Sequence, residues 1–285
     1  MAEELTANPR RWYRRPRWIV LMAIGTVLVV GGALFAYAWA NRGAHEASVD
    51  AAVKRFRSST TETGTGGSTS GAFRRPAAGV YTYEGTGTEK ISLLSTGQRW
   101  GPRIPATVAA AADGCWTFKV EYSTNHWQEW TYCPKGDVLQ EAGGRTSQIF
   151  DFVAFEVGDL VVFTCKPPND MARAAAEPGD SFEQSCDGVS EERGTHVTSA
   201  GTNTFVAKET VRVGAEDVSA YHYLNELTLS GDQTGTERFD TWYALSDGLP
   251  LKTTREVRVA SPSPIGDVIY TEHGSFTLSS LEPKL

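Results

Sequence analysis

From Trp18 to Ala40 the chain reads WIVLMAIGTVLVVGGALFAYAWA, an apolar run without a single charged side chain. As a helix rising 1.5 Å per residue it extends roughly 34 Å, against the ~30 Å of hydrocarbon in a bilayer. Trp18 at one end and Tyr37 and Trp39 at the other suit the two interfacial belts. Arg10, Arg11, Arg14, Arg15 and Arg17 crowd its N-terminal side, whereas Arg42 stands alone just after it. The positive-inside rule therefore predicts a cytoplasmic basic tail over 1–17, a transmembrane helix over 18–40 and an extracytoplasmic remainder in a single-pass cell-membrane protein. Ala36-Tyr37-Ala38 and Ala38-Trp39-Ala40 resemble signal-peptidase sites, so removal of the segment is the rival reading. The apolar stretch exceeds the ~7–15-residue core of a signal peptide, which favours a retained anchor.

An extracytoplasmic remainder changes how the rest is read. All four cysteines, Cys115, Cys133, Cys165 and Cys186, follow the span, and none forms Cys-x-x-Cys. Outside the cytosol such an even, well-spaced set reads as two disulfides, pairing Cys115 with Cys133 and Cys165 with Cys186; cross-pairing stays open. No metal site is expected, because the cysteines are far apart and the histidines lack ligand spacing. From residue 76 onward 16 Lys and Arg face 29 Asp and Glu, far more acidic than the −7 of the whole chain. Such a surface repels polyanions, so nucleic acid is not an expected partner.

Residues 44–57 carry Val49, Val53 and Phe56 at helical spacing, which predicts a short continuation of the membrane helix. SSTTETGTGGSTSG, residues 58–71, reads as a flexible tether spanning about 20 Å, within a juxtamembrane segment of 41–75. Residues 76–285 then alternate apolar and polar side chains in runs rich in Val, Thr, Tyr, Phe and Trp, punctuated by Gly, Pro, Asn and Asp. The expected fold class is mainly β: one large antiparallel domain, a curved sheet or half-barrel, with a β-sandwich as the alternative. A short helical turn capped by Asn169 or Asp170 and ended by Pro178 is expected inside a long loop between Cys165 and Cys186.

Two hairpins have derivable registers. With Ser123-Thr124-Asn125 as a turn, Trp116 faces Tyr132, Phe118 faces Trp130, Lys119 meets Glu129, Thr117 meets Thr131 and Cys115 meets Cys133. A one-residue slip breaks every pair. The aromatic face made of Trp116, Phe118, Trp130 and Tyr132 is core packing or the lining of a cavity. In the second hairpin, Asp247-Gly248 is a two-residue turn signal that sets Asp240 against Arg255, Glu237 against Arg258 and Trp242 against Thr253.

No nucleophile elbow, phosphate loop, dinucleotide fingerprint or His-Glu-x-x-His helix occurs, and Gly179-Asp180-Ser181-Phe182 lacks the scaffold an esterase needs. No catalytic residue and no cofactor is assigned. The stretch Trp242…Asp247-Gly248-Leu249-Pro250-Leu251-Lys252 resembles a hairpin of the LolA-like lipoprotein carriers, in which a strand turns through Gly-Leu-Pro into a long basic-polar strand. The resemblance implies a curved antiparallel sheet around a cavity for lipid or acyl chains. The layout of tail, span, linker and β domain is similar to single-pass envelope proteins of high-GC Gram-positive (actinobacterial) type. Together these give noncatalytic binding of an apolar or amphiphilic envelope ligand as the expected function, with Trp116, Phe118, Trp130, Tyr132 and Trp242 as ligand-binding residues. A structural or protein-interaction module with a filled core is the alternative, and an envelope hydrolase a lower one.

Overall fold

The computed structural model describes residues 44–59, 71–94, 97–151, 156–264 and 266–285. The basic tail, the 18–40 span and most of the Gly/Ser/Thr linker lie outside the described residues. Among those described, no helix is long and apolar enough to cross a membrane.

The chain after residue 78 is a meander of long strands. In order they are β1 (Gly79–Ile91), β2 (Gln98–Arg99), β3 (Arg103–Ala110), β4 (Trp116–Glu121), β5 (His126–Lys135), β6 (Val138–Asp151) and β7 (Glu156–Arg173). There follow β8 (Ser181–Ser190), β9 (His196–Val213), β10 (Glu216–Gly231), β11 (Thr234–Ala244), β12 (Pro250–Ser261) and β13 (Val268–Leu278). Apart from the short β2, each strand pairs antiparallel with the next, and β13 returns to pair with β1 from Tyr83↔Leu278 to Ile91↔Tyr270. The result is a closed barrel of 12 strands. The expected large antiparallel β domain is present, but it is a closed barrel where a half-barrel was foreseen, because the first strand carries the complementary edge for the last. Closure removes the exposed edges that an open sheet must protect.

The Cys115–Cys133 hairpin has the register derived above, from Trp116↔Tyr132 to Glu121↔Trp127. Its cysteines are bonded with Cα atoms 4.2 Å apart, and Cys165 is bonded to Cys186 at 4.1 Å. One expected contact is exchanged: Lys119 pairs with Glu121 and lies over the Trp127 ring, while Glu129 is held by Arg145. The β11–β12 register is one residue away from that expected. Trp242 faces Lys252 and Asp240 faces Thr254, with a bulge between Trp242 and Tyr243. The connection is longer than a two-residue turn, since Ala244 N–H donates to Leu249 O and Gly248 N–H to Ala244 O. The charge matches misled because Arg255 points into the lumen, where it meets Glu272, and Asp240 points outward to His222.

The segment between Cys165 and Cys186 is no long loop and holds no helix. β7 runs on to Arg173 and β8 begins at Ser181, and backbone pairing between them covers only Val161–Thr164 against Asp187–Ser190. Beyond it side chains bridge the gap: Gln184 Nε2 donates to Asp170 O at 3.1 Å, and Ser185 N to Asn169 Oδ1 at 3.0 Å.

The expected helix is also displaced. Residues 44–48 are not helical; α1 (Val49–Ser59) starts after Ser48, whose Oγ accepts from Ala51 N as an N-cap does. It lies on the outside of the barrel with Ala52, Val53 and Phe56 against Val80. His45 at its start is tied to Thr124 in the β4–β5 turn, and Arg57 at its end to the carbonyl of Leu285.

A 12-strand barrel is wider than the eight-strand kind that ordinary side chains fill. The lower half solves this with aromatic bulk. Trp116, Phe118, Tyr83 and Phe276 interlock edge to face, and Phe205, Tyr221 and Tyr223 continue the layer on the far wall. Phe73, on the far side of the linker, closes this floor against Tyr221, anchored where Ala72 N donates to Asp137. Trp100 packs across Gly87 and Gly274, where any Cβ would fall about 2.2 Å and 2.3 Å from its ring.

Candidate functional site

Above the floor the walls keep alternating, but the side chains that meet across the lumen are polar ones joined at single hydrogen bonds, and they leave space beside them. A cavity of about 380 Å³ remains, toward the lower end of the ~300–1,000 Å³ range of small-molecule sites. Near the mouth its wall is apolar, with Ile91, Leu93, Phe150, Val161, Leu229 and Val259. Deeper it becomes polar, and there four strands carry register shifts, at Tyr132, Glu141, Tyr223 and Tyr243. A bulge re-aims a side chain and commonly marks a functional rim. All four residues line the cavity, so the irregularities form a ring where floor gives way to open space.

Two charge pairs stiffen this polar layer. Arg255 on β12 donates from Nε to Glu272 on β13 at 2.5 Å and from Nη1 to Gln128 on β5 at 2.7 Å, and its guanidinium lies 4.6 Å from the Phe239 ring centre. Tyr270 O–H donates to the second Glu272 oxygen at 2.6 Å. Glu89 on β1 accepts from Trp100 Nε1 at 2.6 Å and Gln148 Nε2 at 3.0 Å, and its Oε1 lies 2.6 Å from His126 Nδ1. Burial by itself raises the Glu89 pKa, but the charge of His126 and these hydrogen bonds outweigh it and hold the group below its ordinary range.

Glu89, His126 and Glu272 place ligating atoms within 4.8 Å of one another, a trio that could share a metal ion. Their existing partners explain the grouping without one: Arg255 and Tyr270 occupy Glu272, and Trp100 and Gln148 occupy Glu89.

Two further carboxyl groups have no such partners. Glu141 on β6 and Glu237 on β11 lie deep in the lumen and touch the open cavity. Among the described residues neither joins an ion pair; Glu237 accepts one long bond, 3.3 Å, from Ser199 Oγ. Burial, then the charge of Glu237, pushes Glu141 up to about 8. Burial also raises Glu237, with Glu272 adding to the rise and Arg255 and Ser199 opposing it. On β9 and β10, Asn203 donates to Asp170 O and Met171 O, and Asn225 donates to Gln184 Oε1. The Oδ1 atom of each is left without a donor.

Of the ligand-binding residues expected from sequence, Phe118, Trp130 and Tyr132 line this cavity. Trp116 belongs to the floor below, fully buried against Phe118 and Tyr132. Trp242 is on the outer face: its ring stacks on His222 at 4.0 Å, Lys252 lies 4.2 Å above it, and its Nε1–H donates to Glu209 at 2.7 Å. Glu141, Glu237, Arg255, Asn203 and Asn225 were not singled out from sequence. The signal was present: Glu237 shares strand parity with Phe239 and Tyr243, and Arg255 with Val257, so charges stood at positions that alternation assigns to the interior. No family model matches this chain, and no curated protein or solved structure is similar to it at a level that counts as a match.

Proposed function

We propose that the chain is a membrane-tethered, extracytoplasmic protein whose barrel encloses an apolar or amphiphilic envelope molecule and releases it unchanged. The observation that carries this reading is the open cavity of about 380 Å³ held above a densely packed floor. Folding normally closes such space, because unfilled volume costs roughly 24 cal/mol per Å³. An apolar collar followed by a polar base suits a molecule with a tail toward the mouth and a head below. The two disulfides fit an oxidising compartment, and the 18–40 span supplies the tether. Among the described residues no activated nucleophile stands beside the cavity, which favours binding over turnover. The resemblance of the Trp242…Lys252 stretch to LolA-like carriers adds the expectation of an enclosed apolar site.

Native mass spectrometry of the full chain, released from membranes into amphipol, tests the reading. A co-purified small molecule that is lost in Leu227→Trp, which fills the lumen, supports it. A protein that is empty and refuses alkyl probes excludes it.

A further inference from the structure

We infer that the polar end of the enclosed ligand is an organic ammonium group, seated between Glu141 and Glu237 and hydrogen-bonded to Asn203 and Asn225. The inference rests on the enclosed-ligand reading and adds the chemical class of the head.

The base of the cavity brings together two carboxyl groups and two unbonded amide oxygens, beside the hydroxyls of Tyr132 and Tyr243. The Glu141 and Glu237 carboxyl groups come from strands that are not neighbours in the sheet, and both turn into the same space. The amide nitrogens of Asn203 and Asn225 are fixed on Asp170 O, Met171 O and Gln184 Oε1, which sets the orientation of both side chains and leaves their Oδ1 atoms unbonded. Both residues are more than nine-tenths buried, at 1% and 7% exposure, so bulk water does not serve them. A buried acceptor without a donor costs about 1–3 kcal/mol, and a natural site keeps it where a ligand supplies the donor. The one strong cation nearby, Arg255, is committed to Glu272 and Gln128.

Head groups can be ranked on this wall. A carboxylate or phosphate finds carboxyl groups here in place of a free cation, and must first take Arg255 from Glu272. An alcohol brings one donor. A primary ammonium brings three donors and a positive charge, enough to satisfy three of these four acceptors and to pair with an ionised carboxylate. The Cys165–Cys186 disulfide closes the wall beside Glu141 and brings no charge.

Charge matching also gives uptake a pH dependence. The groups facing Glu141 are Tyr132 from β5, Glu237 and Tyr243 from β11, and the disulfide from β7 and β8. None is a cation, so Glu141 holds its proton near neutrality. An arriving ammonium favours the ionised form and expels that proton. Ammonium affinity therefore rises with pH from about 6 to about 8.5.

The test is isothermal titration calorimetry of the full chain in amphipol with n-octylammonium, n-octanol and n-octanoate, in two buffers of different ionisation enthalpy. We expect octylammonium to bind about tenfold tighter than octanol, octanoate to bind weakest, and ammonium binding to release protons near pH 7. Glu141→Gln and Glu237→Gln, each checked for a single cooperative thermal transition, lower the ammonium-to-octanol preference about tenfold; Glu141→Gln also removes the proton release. Octanol binding as tightly as octylammonium, or octanoate binding best, overturns the ammonium head and leaves the enclosed-ligand reading standing. If none of the three probes binds, both are overturned.

Discussion

The floor and the cavity of this barrel are built from the same strands by the same alternation, yet one is packed and the other open. In the floor, Trp116, Phe118, Tyr83 and Phe276 interlock ring against ring along one stretch of wall, Tyr132 meets Tyr243 from the opposite side, and Phe73 fills the remaining gap from outside the sheet. In the cavity, polar groups bridge between strands by hydrogen bonds and leave open space beside them. Arg255 is drawn to Glu272 and Gln128, and Trp100 lies against Gly87 and Gly274, stacked on Tyr122. Residue size alone does not decide which part of a wide barrel fills. What decides it is whether the inward side chains are aromatic rings that pack edge to face or polar groups that meet only at directed hydrogen bonds.

Truncation gives the largest expected contrast. Trp116→Ala removes a ring surrounded on every side and should cost about 3–5 kcal/mol, whereas Trp130→Ala removes one that borders open space and should cost less, about 1–2 kcal/mol. Urea unfolding of both variants checks this, and equal losses would mean that the cavity wall is as tightly packed as the floor. Arg255→Met tests the buried charge pair. It strands Glu272, buried at 1% exposure, and should cost about 3–5 kcal/mol. Arg255→Met combined with Glu272→Leu should recover most of that loss. A double variant no more stable than the single one would show that these charges also support the floor.

The pH dependence of stability sharpens the contrast further. Glu141 keeps its proton in the folded state up to about pH 8, while in the unfolded chain it loses it near pH 4.5. Between those values the folded form binds the extra proton, so this group makes stability fall as pH rises, by at most about 1.4 kcal/mol per pH unit. Glu141→Gln should flatten that slope over pH 5–8 in chemical denaturation. An unchanged slope would place the Glu141 carboxyl in contact with water. Floor variants such as Trp116→Phe should leave the slope as it is.

How far the sequence disclosed this arrangement depended on the kind of information each part needed. The Cys115–Cys133 hairpin was legible to the residue, because its disulfide, aromatic pairs and turn all favour a single register. The β11–β12 hairpin was misread by one position. A bulge beside Tyr243 and a longer turn moved every pair, and the charge matches behind the expected register were between residues on opposite faces. Closure was not legible, since it depends on β1 meeting β13 across the whole domain, and such pairing leaves no local pattern. Phe118, Trp130 and Tyr132 were legible as one face, but no rule of spacing separates a lining residue from a floor residue such as Trp116. The inward charges were visible as breaks in alternation at Glu237 and Arg255. Weighing those breaks as signals, and not as noise within strands, would have located the polar base.

The smallest expected effect falls outside the lumen altogether. Trp242 was grouped with the inner aromatics by sequence, yet its ring is held between His222 and Lys252 on the outer face, with Glu209 accepting its N–H. That hydrogen bond, followed by those of His222 and the charges around it, holds Glu209 below its ordinary carboxylate range. Trp242→Phe keeps an aromatic face for His222 and Lys252 but removes the N–H donor and part of the ring. Since Glu209 is well exposed and water can replace the lost donor, the change should cost about 1 kcal/mol or less. Octylammonium binding should remain within twofold of the unchanged protein, whereas Trp130→Ala should weaken it several-fold. A Trp242→Phe loss as large as that of Trp130→Ala would mean that the outer stack on β10–β12 sets the position of the ring of bulges within. The distinction between floor and cavity would then have to be drawn through the wall of the barrel as well as along its axis.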